Sequence, residues 1–364
     1  MNIRLSTKIK AFLISFLAVF LMVVLPHLGL TMRNIANQAC VIARRLGWIG
    51  CKTGMLSPLP LKPDPMLRVR PQLQKNIKIF ALKRPTSFIS QAFAGEDFQQ
   101  AKSYIVLDMD SGEILKEKDG TSIFPMASLT KVMTAMVALD LASPQEVFSV
   151  SETAYRIEPT RFAFDIGEKL TLEELLNGML LTSANDCAQI IREGIDQKFG
   201  NQVFIKAMNE KAKLLGLKDT NFQNPQGFDD TAHFSSVENL GLMSRFALNN
   251  YPLIAEITKK DHEFYSKNTD HQEVYMNNWN GLIGVYPGVF GVKIGNTGLA
   301  GHTTVVAAER AGHRLLTVVL GAPGIIERDL WASKLLDLGF ARFGLQPINV
   351  TQQDLREKYA TWKY

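Results

Sequence analysis

Cysteine is scarce in this 364-residue chain. Cys40, Cys51 and Cys187 are the whole complement, and none belongs to a C-x-x-C pair. That excludes a disulfide-stapled scaffold and offers no structural zinc signature. Cys40 and Cys51 either pair, if the chain is exported, or stay reduced; Cys187 is expected to pack in the core. Acids are nearly missing from the first 95 positions, where 14 lysines and arginines face the single acid Asp64. The leader therefore carries +13, and because the whole chain is +5, the remaining 269 residues carry −8. A basic leader on an acidic globule is not the pattern of a nucleic-acid-binding domain. It suits a segment that lies near an anionic lipid or polymer. Histidine is also sparse, and no His-Glu-x-x-His motif occurs. His262-Glu263 and Asp270-His271 read as parts of a polar loop, so no metal is expected. There is no internal repeat. Apolar residues make up 46% and charged residues 21%, enough for a sizeable core in one large domain or two ordinary ones.

The one long apolar run is Ala11–Leu30, uncharged throughout and preceded by the basic tail 1–10 with Arg4, Lys8 and Lys10. Twenty helical residues at ~1.5 Å each cover the ~30 Å hydrocarbon core of a bilayer. No small-residue cleavage site follows closely, as a removed signal would need. The run is expected to be an uncleaved transmembrane anchor, with a cleaved signal or a buried core helix as alternatives. Arg33, Arg44, Arg45 and Lys52 follow it, so the flanking charges do not set its orientation. Residues 31–97 are basic and punctuated by Pro58, Pro60, Pro63, Pro65, Pro71 and Pro85. Because proline removes a backbone donor and clashes with the preceding turn, this stretch is expected to be a linker, with a small packed unit at Val41–Trp48 as the alternative.

Residues 98–345 read as the compact domain and 346–364 as a C-terminal tail. Ser103–Met109 and Glu113–Lys116, split by Asp110-Ser111-Gly112, predict a β-hairpin. Helical periodicity follows through Leu129, Val132, Met133, Met136, Val137 and Leu139. Further helices are predicted at Leu170–Leu181, opened by Thr171, at Ala184–Ile195, with Asn185 or Asp186 near the cap, and at Val203–Leu215, ended by Gly216. Val289–Lys293, Thr303–Ala308 and Leu315–Leu320 read as strands, and Asp329–Phe340 as a closing amphipathic helix. Strands at both ends with helices between predict an α+β fold: one antiparallel sheet, flanking helices and an inserted helical subdomain.

Three short motifs carry chemistry. Ser128-Leu129-Thr130-Lys131 puts a hydroxyl and an amine on one helical face; a serine needs a base to become a nucleophile, and a lysine can be that base if burial lowers its pKa. Ser183-Ala184-Asn185 supplies a hydroxyl for proton relay and an amide that both donates and accepts. Lys293-Ile294-Gly295, followed by Asn296 and Thr297, ends a β-run; Lys293 brings positive charge, and Gly295 would admit a substrate backbone close to the strand. Each motif alone is as well explained by a helix cap or a strand end.

The order Ser-x-x-Lys, Ser-x-Asn, Lys-x-Gly, with gaps of 55 and 110 residues, resembles the serine penicillin-binding fold, and within it the D-alanyl-D-alanine carboxypeptidases of low molecular mass. The likeness extends to VLDMDSGEILKEKDGTSIFPMASLTKVMTAMVALD, LTLEELLNGMLLTSANDCAQII, GLKDTNFQNPQGFDD and GVFGVKIGNTGLAGHTTVVAAER, and spans about residues 101–345. It implies that Ser128 attacks the carbonyl between two D-alanines of a peptidoglycan stem peptide, with Lys131 as general base. Ser183 would relay the proton to the leaving amine, and Asn185 would hold Lys131 and the substrate amide. Lys293, Gly295, Asn296 and Thr297 would bind substrate, with the N–H groups of Ser128 and Asn296 as the oxyanion hole. β-Lactams would be covalent inhibitors, and the anchor would leave the catalytic domain outside the cytoplasm.

One position departs from the family. Ile294 stands where a threonine is usual, and it cannot donate to the substrate's terminal carboxylate unless Thr297 or an arginine substitutes. Arg328, which opens the last predicted helix, is expected to be structural. Two other readings stay open: a catalytically weak cell-wall-binding or scaffold protein of the same fold, favoured by Ile294, and a β-lactamase. The latter is disfavoured because no glutamate occurs between Glu210 and Glu238, where the one that activates water would be expected.

Overall fold

The computed structural model describes residues 64–74, 81–84 and 96–362. The run Ala11–Leu30, the unit at Val41–Trp48, most of the expected linker, and Cys40 and Cys51 lie outside the described residues. Among the described residues, no helix is long and apolar enough to cross a membrane.

Helix α1 (Met66–Leu73) overturns one expectation, because Pro71 sits inside it. A proline within a helix costs about 3 kcal/mol. Met66, Val69 and Leu73, three and four residues apart, are buried in the main core, and each such burial is worth roughly 1.5–3 kcal/mol. Lys211 also donates to the Leu73 carbonyl at 2.9 Å. Packing therefore outweighs the proline, and this part of the expected linker belongs to the folded unit.

Strands β1 (Ser103–Asp108) and β2 (Ile114–Lys118) form the predicted hairpin. A single 3-10 turn, Ala127–Leu129, leads into α2 (Thr130–Leu141), which runs through the core. The helical region follows: β3 (Val147–Ser149), α3 (Glu152–Tyr155), β4 (Lys169–Thr171), α4 (Leu172–Leu181), α5 (Asn185–Phe199), α6 (Val203–Leu214), α7 (Val237–Asn250) and α8 (Pro252–Thr258). Thr171 caps α4 in a reciprocal box with Glu174, a contribution of about 1 kcal/mol. At α5 the expected side-chain cap is not made; Ala184 occupies the cap position and Asn185 is the first helical residue.

The expected polar loop around His262 and His271 is instead a second hairpin, β5 (His262–Tyr265) with β6 (Val274–Asn277). His271 lies against Glu174 at 3.2 Å and Asn268 at 2.9 Å. The chain closes with β7 (Val289–Thr297), β8 (Gly301–Arg310), β9 (His313–Ala322), α9 (Ile325–Ala341) and α10 (Gln352–Ala360). Helix α10 lies in the stretch read as a tail; its buried Leu355 joins the core beneath α9.

The main sheet has the order β2-β1-β9-β8-β7, and every pairing in it is antiparallel. Pairing of β1 with β9 ties the two ends of the domain together. Both faces of the sheet are covered. Ile105, Leu107, Leu316 and Val318 pack into the large cluster with α2, α4 and α7, while Tyr104, Val106, Leu315 and Val319 pack under α9 and α10. That is why β1, β8 and β9 read as continuous apolar runs rather than alternating ones. The antiparallel sheet, flanking helices and inserted helical region match the predicted α+β architecture. Strand β7 forms one edge of the sheet, and its C-terminal half lies against the start of α2.

Candidate active site

Segments from across the domain meet at one cleft of about 470 Å³. The turn before α2 brings Ser128, the turn before α5 brings Ser183 and Asn185, the end of β7 brings Ile294, Asn296 and Thr297, and α9 brings Ile325 and Arg328. The three sequence motifs, scattered over 170 residues, are thus one site.

Backbone strain sits where the chemistry would be. Ala127 and Ser183 adopt φ of 50° and 65°, values that cost a residue with a side chain of order 1–3 kcal/mol. The Ala127–Ser128 turn is held from several sides. Thr130 Oγ1 donates to the Ala127 carbonyl at 2.8 Å and lies 2.7 Å from His233 Nε2. His233 Nδ1 accepts from the Gln223 N–H at 3.1 Å, so the proton of the neutral ring is on Nε2 and points to Thr130. Burial pushes His233 down to about 4, which keeps it neutral and this chain intact. Thr303 donates to the Met126 carbonyl from the sheet side.

Lys131 is completely buried. Its Nζ lies 2.9 Å from Ser128 Oγ, 2.7 Å from Asn185 Oδ1 and 2.8 Å from the Gln226 carbonyl. Burial is the largest influence on it and lowers its pKa to about 7, against the opposing pull of Cys187 and Asp186. Asn185 is oriented by its other end, where Nδ2 donates to the Pro159 carbonyl at 2.5 Å. Asp186, also expected near the cap, accepts instead from the N–H groups of Phe162 and Ala163 and fixes the loop that carries Pro159 and Thr160.

From the third motif Asn296 and Thr297 line the cleft, and Lys293 does not. Lys293 is buried in β7 and donates to the Ile294 carbonyl at 2.9 Å. Its pKa is pushed well down by burial and by the nearby charges of Lys131 and Arg328. Gly295 leaves room for the protein itself: a Cβ there would lie 2.8 Å from the Ser128 nitrogen and 2.7 Å from Thr303 Oγ1. The Thr297 hydroxyl, a possible substitute for the one missing at Ile294, donates to Asp229 at 2.6 Å. Arg328 lines the cleft and is also structural, since it is buried and its Nε and Nη2 donate to Asp329 at 2.6 and 2.8 Å.

Over residues 90–324 the sequence matches the family described as D-alanyl-D-alanine carboxypeptidase.

The chain belongs to that family.

Among its curated relatives, the D-alanyl-D-alanine carboxypeptidase DacF of Bacillus subtilis (strain 168) is 32% identical over 274 residues, 72% of this chain and 69% of the relative. DacB2 of Mycobacterium tuberculosis, of the same description, is 32% identical over 249 residues, 66% of this chain and 82% of its own length. The fold is similar to the crystal structure of the Streptomyces K15 DD-transpeptidase, with a TM-score of 0.62, 25% identity, and coverage of 66% of this chain and 97% of that one. It is also similar to penicillin binding protein 5 of Haemophilus influenzae, with a TM-score of 0.61, 28% identity, and coverage of 66% and 71%.

Family membership does not by itself point out the residues that sequence reasoning passed over. Gln226 and Gly227 act through their backbones, which carry no residue-type signal beyond glycine. His233 stands alone in the sequence and meets Thr130 only in the folded chain. Trp279 and Trp362 reach the cleft from segments that show no motif.

Proposed function

We propose that Ser128 is the nucleophile of this serine-type D-Ala-D-Ala carboxypeptidase and that Lys131 is its general base. The hydrogen-bond count at Lys131 Nζ carries the assignment. A charged lysine has three N–H donors, and the three oxygens around it accept all of them. A neutral lysine has two N–H donors and one lone pair. With Asn185 Oδ1 and the Gln226 carbonyl accepting the two, the lone pair faces Ser128 Oγ and draws its proton. Depression to about 7 makes the neutral form available near physiological pH.

In the acylation step Ser128 Oγ bonds to the carbonyl carbon of the penultimate D-alanine while its proton passes to Lys131. The C–N bond then breaks as Ser183 relays a proton to the leaving amine, and D-alanine departs. Backbone N–H groups of Ser128 and Asn296 would receive the oxyanion, each worth about 3 kcal/mol, and the missing Cβ of Gly295 lets this end of β7 approach the Ser128 nitrogen. Water then attacks the ester with Lys131 again as base. No step calls for a metal or an organic cofactor. Arg328 supplies the cation for the substrate's terminal carboxylate, the role that Ile294 cannot fill.

The substrates in this reading are stem peptides of peptidoglycan, and β-lactams acylate Ser128 in the same way. Because that polymer lies outside the cytoplasmic membrane, residues 98–345 are exported and Ala11–Leu30 serves as the anchor. The β-lactamase reading is weaker: among the described residues no glutamate lines the cleft, and its one acid, Asp229, is engaged by Thr297 and by the Leu299 N–H. A mere binding protein would not need the buried, neutralised Lys131. The test is release of D-alanine from a peptide ending in D-Ala-D-Ala, which Ser128→Ala and Lys131→Met abolish. Binding without turnover by the unmodified chain would favour the scaffold reading.

A further inference from the structure

Helix α10 lies beyond the matched region 90–324, yet it is capped within itself and fastened to the domain at three points. Thr351 and Asp354 form a capping box. Leu355 is buried in the core. The Tyr359 hydroxyl donates to the Asp329 carboxylate, and Lys358 pairs with Asp261. Gly281 makes room for this arrangement, since a Cβ there would lie 2.6 Å from the Tyr359 hydroxyl. One turn after Tyr359, Trp362 stacks at a tilt on that ring, with centroids 4.7 Å apart. It forms part of the cleft wall together with Ile294, His302 and Arg328.

Two polar atoms on this side of the cleft are buried with no hydrogen-bond partner among the described residues: Trp362 Nε1 and His302 Nδ1. An indole nitrogen is a donor only, and leaving it buried and unpaired costs free energy. Beside it stands the Arg328 guanidinium, whose partner Asp329 occupies two of its nitrogens. His302 is kept neutral by burial first and by the Arg328 charge second. An acceptor that satisfies an indole N–H next to a guanidinium is an anion of small size; on the β7 wall the residue between Lys293 and Gly295 is the aliphatic Ile294, and the Thr297 hydroxyl is committed to Asp229.

We propose that Trp362 is a specificity-determining residue of the peptidase: its indole N–H donates to the terminal carboxylate of the substrate, so that the C-terminal helix completes the pocket for the leaving D-alanine. This rests on the carboxypeptidase reading above and adds a donor that comes from outside the three motifs. It explains how the chain holds a carboxylate although the residue between Lys293 and Gly295 is aliphatic. It also gives α10, which no motif announces, a position in the reaction.

A pair of thioesters of an acyl-D-alanine tests it, one with a free carboxylate on the leaving group and one with that carboxylate methylated. Trp362→Phe keeps a ring against Tyr359 and removes the N–H. The expected result is a rise in KM of about tenfold on the carboxylate substrate, the effect of a lost hydrogen bond to a charged group, with the methyl ester unchanged as internal control. Equal losses on both substrates would make Trp362 a packing residue and overturn the inference, as would no loss on either. Wild-type turnover of both esters with a preference that Trp362→Phe leaves intact overturns this inference alone. Failure of the wild-type enzyme to turn over either ester overturns the carboxypeptidase reading and this inference with it.

Discussion

Gly227 lies directly against Ala127: a Cβ on Gly227 would overlap the Ala127 carbonyl oxygen and come within 2.9 Å of the Ser128 nitrogen. Gly227 also has φ of 94°, where a side chain is strained. Its loop is held by Asn224 Oδ1, which accepts from the N–H groups of Gly227 and Phe228 at 2.7 and 2.9 Å. The obstacle is backbone on both sides, so neither can swing away. Gly227→Ala should therefore slow penicillin acylation of Ser128 tenfold or more and lower Tm by roughly 4 °C or more. Stopped-flow acylation and calorimetry check this, and an unchanged rate would show that the nucleophile turn is not held from this side.

The pH profile follows from Lys131. Its neutral form is the base, and with a pKa lowered to about 7 the neutral fraction falls tenfold per pH unit below that value and saturates above it. Acylation kcat/KM should rise with unit slope up to about pH 7 and then level off. A lysine at its ordinary value would give a rate still rising at pH 9. Stability is linked to the same shift. Between about 7 and the unfolded value near 10.4, the unfolded chain binds a proton that the folded chain does not, so this contribution grows with rising pH through that window. Lys131→Met should remove it from the pH dependence of urea unfolding.

At Ile294 the structure narrows the options. Thr297 is committed to Asp229, which leaves Arg328 and the helix side of the cleft to meet a carboxylate. Ile294→Thr adds a donor on the β7 side, and kcat/KM on peptides ending in D-Ala-D-Ala should rise about tenfold, the equivalent of ~1.4 kcal/mol. Peptides with an amidated end should gain little. Equal gains on both would trace the effect to packing rather than recognition.

Much of the site was legible because its residues act through side chains at short spacing. Ser128 and Lys131 are one helical turn apart, and Asn185 sits two residues from Ser183, so local periodicity alone placed them together. The order of the motifs supplied the rest. Lys293 and Gly295 are visible as a motif, but only the folded chain shows that the Ser128 turn fills the space the glycine leaves. Pro71 reads as a helix breaker on local grounds, and long-range burial of Met66, Val69 and Leu73 outweighs it. Hairpin β5–β6 was missed because polar residues such as His262 and Glu263 occupy an exposed two-stranded ribbon. Trp362 was missed because its surroundings, α9 and Gly281, are remote in sequence.

Topology is the least local expectation. If Ala11–Leu30 anchors an exported domain, protease added to intact spheroplasts should digest residues 98–345 while a cytoplasmic marker survives. A protected domain would contradict both the anchor and the proposed substrate.

The central claim is that Ser128, activated by Lys131, carries the acyl group. Incubation with penicillin followed by peptide mass spectrometry reads this directly. The adduct is expected on the peptide containing Ser128, absent in Ser128→Ala although that variant still melts cooperatively, and strongly reduced in Lys131→Met. An adduct on another residue, or none on the folded wild-type chain, would contradict the account.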